Sequence, residues 1–121
     1  MINSDIDKRK PVWAALSEFY LDTELMDEDH KRIAQVFRNS GFDLQAIKDM
    51  DTYEVFPLLQ PNLLSVAGEW GMFDQEWLFS ECQKNFKKRN SWFYQIKTKF
   101  YNNRFYWMRK DHWDKIELLS K

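Results

Sequence analysis

The chain has a single cysteine, Cys82, and only three glycines and three prolines in 121 residues. One thiol cannot form an internal disulfide, so stability must come from a packed core, and an oxidising compartment is not indicated. No apolar run approaches the roughly 18 residues that a membrane span requires. The first seven residues, Met1 to Asp7, carry acids where a secretory signal needs basic and then apolar residues. The expectation is a cytoplasmic protein with no membrane span. Repeats, low-complexity stretches and linkers are also missing. No nucleophile–base pair, metal-ligand cluster or phosphate loop is recognisable, so neither an enzyme nor a cofactor or metal is expected.

What the sequence has in abundance is rings. Six Trp, five Tyr and ten Phe accompany a charged fraction of 31%, a composition that supports a core and argues against disorder. At this length one domain over residues 1–121 is expected, with 1–7 flexible. The net charge of −1 conceals an asymmetry. Residues 1–83 hold 16 Asp/Glu against 7 Lys/Arg, and residues 84–121 hold 11 Lys/Arg against 3 Asp/Glu, so the two parts carry −9 and +8. Either the two fields cancel on folding or the molecule offers an acidic face to a partner.

Apolar spacing predicts a compact all-α bundle of about five to six helices. The first runs from Lys8 to Tyr20, with Pro11 in its opening turn and Val12, Trp13, Leu16, Phe19 and Tyr20 inward. The second spans Asp27 to Asn39, with Ile33, Val36 and Phe37 as its stripe and Gly41 as the left-handed stop. A third, capped by Asp43, runs to about Val55 and is ended by Pro57. A central Gly-rich turn follows, in which Gly68 and Gly71 flank Glu69 and Trp70 and tuck the indole inward. Asp74 caps the next helix, Gln75 to Lys88, with Leu78, Cys82 and Phe86 on one side. Beyond Ser91 the pattern also fits a strand over Gln95 to Tyr101. Two helical pieces divided near Asn102 are expected there, then a last helix from Asp111 with Trp113, Ile116 and Leu119 inward.

Three blocks carry a resemblance. They are Pro11-Val12-Trp13-Ala14-Ala15-Leu16-Ser17, Tyr20-Leu21-Asp22-Thr23-Glu24-Leu25, and Asn62-Leu63-Leu64-Ser65-Val66-Ala67-Gly68-Glu69-Trp70 with Phe73-Asp74 and Trp77-Leu78. In these the chain resembles a family of small, mostly uncharacterised bacterial proteins. The resemblance implies a bacterial, single-domain, helical protein and brings no activity with it. Small proteins of this kind are often immunity partners of secreted toxins, a likeness of class only.

Four groups of residues are candidates for function. Asp22, Glu24, Asp27, Glu28 and Asp29 form an acidic run that reads as solvated and dipole-matched, as hard-cation ligands with His30, or as a patch for a basic partner. Glu69 and Asp74 beside Trp70 read as turn and cap residues, or as a carboxylate pair with acid–base work. His30 and His112 have no motif around them, and Cys82 reads as core. The interleaved rings and cations of Lys84 to Lys110 suit single-stranded nucleic acid, but equally a helix with its rings in the core and its lysines snorkelling. The leading expectation is a protein-binding module of the immunity type that neutralises a toxin through the acidic run. A nucleic-acid-binding module using the C-terminal third is the alternative, and a small enzyme with an unrecognised carboxylate site is third. Trp13, Gly68, Glu69, Trp70, Gly71 and Asp74 are expected to be structural.

Overall fold

Caps and stops set the helix boundaries wherever the chemistry is local. The computed structural model describes residues 2–20, 25–63 and 74–120, which form α-helices joined by short turns. Helix α1 spans Ile2–Ser17 and passes into a 3₁₀ turn, Glu18–Tyr20; α2 is Asp27–Asn39 and α3 is Leu44–Met50. A π-turn, Asp51–Val55, joins α3 to α4, Phe56–Leu63. Then come α5, Gln75–Lys88, α6, Trp92–Phe105, a 3₁₀ turn at Tyr106–Met108, and α7, Lys110–Leu119. No strand occurs among the described residues, so the protein is all-α. The Gly68, Glu69, Trp70, Gly71 stretch, and with it the expected central turn, lies outside the described residues.

Asp43 accepts a hydrogen bond from the Ala46 amide at 2.7 Å and Asp74 from the Trp77 amide at 3.2 Å, each satisfying a donor that the first helical turn leaves open. Gly41 has φ +82°, the left-handed conformation that ends α2. Three boundaries differ from expectation. The chain is already helical at Ile2, so residues expected to be flexible begin α1, Ile6 is buried, and Pro11 sits well inside the helix. Pro57 does not end a helix. Its ring removes the N–H that would bond the Tyr53 carbonyl four residues back, and the Tyr94 hydroxyl donates to that carbonyl instead, at 2.6 Å. The ladder meanwhile widens, with the Phe56 N–H reaching Asp51 O in the five-residue step of a π-turn. Asn102 does not break α6, because its side-chain oxygen accepts from the Arg109 guanidinium and the chain turns at Tyr106–Met108.

The π-turn is the hub, touching α1, α3, α4, α5 and α6. Around it Val12, Trp13, Leu16, Phe19 and Tyr20 meet Ile33, Phe37, Ile47, Leu59, Leu78, Cys82, Phe86, Trp113 and Ile116 in one buried core. α7 lies against α2, where Phe37 stacks on Trp113 at 6.0 Å and Phe19 meets the same indole edge-on at 5.4 Å.

Candidate functional site

Two acids on the π-turn are buried, so each needs donors from elsewhere. Asp51 accepts from the Tyr20 hydroxyl at 2.5 Å, Arg109 Nε at 3.0 Å and Trp113 Nε1 at 3.2 Å. The Arg109 guanidinium also lies over the rings of Phe56, at 4.9 Å, and Tyr20, at 5.3 Å. Burial and the neighbouring Asp51 hold the Tyr20 phenol well above its ordinary pKa, so it stays a donor. One turn on, Glu54 accepts from Trp13 Nε1 at 2.8 Å and from Arg9 Nη1 at 2.9 Å. Burial raises the Glu54 carboxyl above the usual range, against the pull of Arg9 and Trp13. These clusters clamp the bundle.

A second polar contact joins α2 to α7. His30 Nδ1 lies 3.1 Å from Met26 O and His30 Nε2 lies 3.0 Å from His112 Nδ1. A carbonyl only accepts, so His30 carries its proton on Nδ1 and His112 donates from Nδ1 to His30 Nε2. The His112 ring also stacks on Phe19 at 5.1 Å. Burial first, then His30 and Lys115, lower the His112 pKa, with Asp111 opposing. A folded pKa below the unfolded one means that the unfolded chain binds the extra proton first. Stability from this pair should therefore be complete above about pH 6.5 and fall as the pH drops below it. Thermal melts from pH 8 to 5 should show this decline, and His112→Gln should flatten it; an unchanged slope in the variant would contradict the assignment.

The remaining candidates are distributed as follows. Asp22 and Glu24 lie outside the described residues. Asp27 and Glu28 are exposed at the start of α2, with Asp27 3.8 Å from Lys115. Asp29 accepts from the Met26 amide at 2.9 Å and pairs with Arg32 at 3.4 Å, and that amide bond first, then Arg32, holds its carboxyl below the usual range. Among the described residues no group of three His, Cys, Asp or Glu is placed to hold a metal ion. Trp13 is fully buried, and Cys82 is buried with its thiol pKa pushed up, which leaves it inert.

Of the rings between Lys84 and Lys110, Phe86 is in the core, and Phe105 and Tyr106 pack against it, but the core reading fails for the outward rings of α6 and for Trp107. Only Thr98 of α6 is buried, while Trp92 is 74%, Phe93 72% and Phe100 70% exposed, and Ile96, Tyr101 and Trp107 are exposed too. Trp92, Ile96 and Phe100 are four residues apart and stand in a row, with Phe93 beside them. Lys97, Lys99 and Arg104 flank the row, and α6 contains no acid. The opposite side of α6 holds it in place through polar bonds, from Tyr94 Oη to the π-turn at 2.6 Å and from the Arg109 guanidinium to the Asn102 oxygen. Spacing alone missed this because both sides of α6 carry large apolar residues. A helix apolar all round is either buried all round or has a second partner, and that ambiguity was the available signal.

The chain matches, over residues 7–119, the family described as Domain of unknown function (DUF7079). It belongs to that family. An uncharacterised family was the expectation from the sequence blocks, and the match extends through the C-terminal third, beyond the last of those blocks at Leu78. No curated protein and no solved structure matches. Among the described residues no helix of the DUF7079 chain is long and apolar enough to cross a membrane.

Proposed function

We propose that this chain is a protein-binding module whose contact surface is the outward face of α6. The observation that carries this reading is the row of Trp92, Ile96 and Phe100 with Phe93, exposed together on one well-anchored helix. Contiguous apolar patches of this kind mark interaction sites, and aromatic anchors dominate binding energy. The flanking Lys97, Lys99 and Arg104 select a partner with an apolar groove rimmed by carboxylates. Neutralisation of a bacterial toxin by direct binding in the cytoplasm belongs to this class of function. With α6 as the surface, the toxin would present an acidic rim, unlike the basic partner that the acidic run was expected to meet.

A second reading, single-stranded nucleic acid, is favoured by the cations beside stacked-ring candidates on an acid-free helix. One experiment separates the two. The triple variant Trp92→Ser, Ile96→Ser, Phe100→Ser should melt as the parent does, since its side chains already face water. A tagged parent chain should retain a stoichiometric protein from lysate after nuclease treatment. Reconstituted from purified components, that complex should weaken at least about 100-fold in the variant, because each anchor is worth about 2 kcal/mol or more. Equal affinity of parent and variant would overturn the proposal, and so would recovery of nucleic acid alone.

A further inference from the structure

The rings and cations of α6 occur in a fixed order around the helix. At about 3.6 residues per turn, Trp92, Ile96, Phe100 and Phe93 lie within an arc of about 100°, and all four are exposed. Cations stand at both edges of this stripe: Lys99 just beyond the Trp92 edge, Arg104 and Lys97 just beyond the Phe93 edge, each within about 40°. All three are exposed, and no carboxylate among the described residues pairs with them. The stripe is not level. A shallow groove of about 410 Å³ runs between the row Trp92, Ile96, Phe100 and the neighbouring row Phe93, Lys97, Tyr101.

A groove between rows spaced four apart is the feature into which a second helix packs, because its own side chains four apart form a ridge of matching pitch. Charge at the edges then decides which helix. A second copy of α6 would set cation against cation along both edges, whereas carboxylates there would meet every cation with its opposite. Fluid lipid tails would answer the rings and cations but have no ridge to fill the groove. We propose, resting on the reading of this face as the protein-binding surface, that it binds an amphipathic α-helix of the partner whose apolar ridge seats in the groove and whose Asp and Glu residues flank that ridge. The carboxylate-rimmed groove of the partner is then the furrow between two rows of that helix. From Trp92 to Phe100 the stripe runs about 12 Å, so slightly more than two turns of the partner make the contact.

The test uses two synthetic peptides of about 18 residues, roughly five helical turns, each with Leu at its a and d heptad positions. One has Glu at e and g, which also keeps it from pairing with itself, and the other has Lys there. Titrated into the isotope-labelled full chain, the Glu peptide should shift the Trp92 indole N–H and the Ile96 and Phe100 amides at micromolar concentrations and gain helicity by circular dichroism. Its affinity should fall at least about tenfold between about 50 and 500 mM salt, and the Lys peptide should bind at least about tenfold more weakly at low salt. The variant Lys97→Glu, Lys99→Glu, Arg104→Glu should melt as the parent does, since exposed charges contribute little to folding, and should exchange the preference to the Lys peptide. Equal binding of the two peptides, or no shift with the Glu peptide up to millimolar concentration, would overturn the proposal. So would a dimer of the full chain that the triple serine variant dissociates, which gives the face to a second copy, or retention on phosphatidylserine vesicles without peptide binding. The two readings fail separately: a reconstituted complex lost in the serine variant but unchanged in the charge-reversed variant keeps the surface and removes the acidic helix.

Discussion

Replacing Asp51 with alanine should lower folding stability by about 3–5 kcal/mol, the loss expected when one partner of a buried ion pair is removed. The carboxylate gathers three donors from two distant segments, the Tyr20 hydroxyl after α1, and Arg109 and Trp113 at the start of α7. Without it the Arg109 guanidinium keeps only the Asn102 oxygen and the surrounding rings, and Arg109 Nη1 already has no partner. A domain of this size has about 5–15 kcal/mol in total, so the melting temperature should fall by roughly 10–20 °C. The physical cause can be isolated with the double variant Asp51→Leu, Arg109→Met, which removes both charges. It should recover much of the loss, because the damage comes from a stranded charge more than from a missing attraction. Urea denaturation of the three proteins decides the matter: if the double variant is as unstable as Asp51→Ala, the stranded-charge account is wrong.

The same junction shows why the sequence was legible in some places and opaque in others. Asp43, Asp74 and Gly41 act within three residues of themselves, so their roles as caps and stop can be read from neighbours alone. Pro57 reads as a helix end by the same local logic, and that reading fails because Tyr94, 41 residues from Tyr53 in sequence, supplies the missing donor. Asp51 with Arg109 and Glu54 with Arg9 are likewise joined across 58 and 45 residues. Nothing in the polar stretch from Lys48 to Glu54 marks Asp51 and Glu54, rather than Asp49, as the buried acids. Apolar spacing located α6 without fixing its rotation, because Tyr94, Thr98 and Phe105 define one side and Trp92, Ile96 and Phe100 another. Polar anchoring chose the first side for the interior, a choice no periodicity encodes. The acidic run shows the converse. Its charge was plain, but the capping duty of Asp29 depends on the chain direction at Met26.

The second large effect is expected at Trp13, which is fully buried and joins α1 to the π-turn through the 2.8 Å bond from Nε1 to Glu54. Trp13→Ala should cost about 3–5 kcal/mol, since it removes the indole beside Phe79 and leaves a cavity that a helix held by so many neighbours cannot close. Trp13→Phe retains most of the ring volume and removes the donor, so its cost should be nearer 1–3 kcal/mol, the penalty for stripping a donor from a buried acceptor. The two substitutions also differ from an ordinary cavity in their pH dependence. The Glu54 carboxyl is already raised by burial, and the Trp13 N–H is among the groups that hold it down, so Trp13→Phe should raise it further. A folded pKa above the unfolded one gives stability that is present at low pH and lost as the pH rises through the folded value. The destabilisation by Trp13→Phe should therefore be larger at pH 7, where the bond runs to a carboxylate, and smaller at pH 4, where the acid is protonated. Urea denaturation of parent and variant at both values measures the difference directly. A cost independent of pH would mean that the indole contributes only volume and that Arg9 and Arg89 hold the Glu54 charge without it.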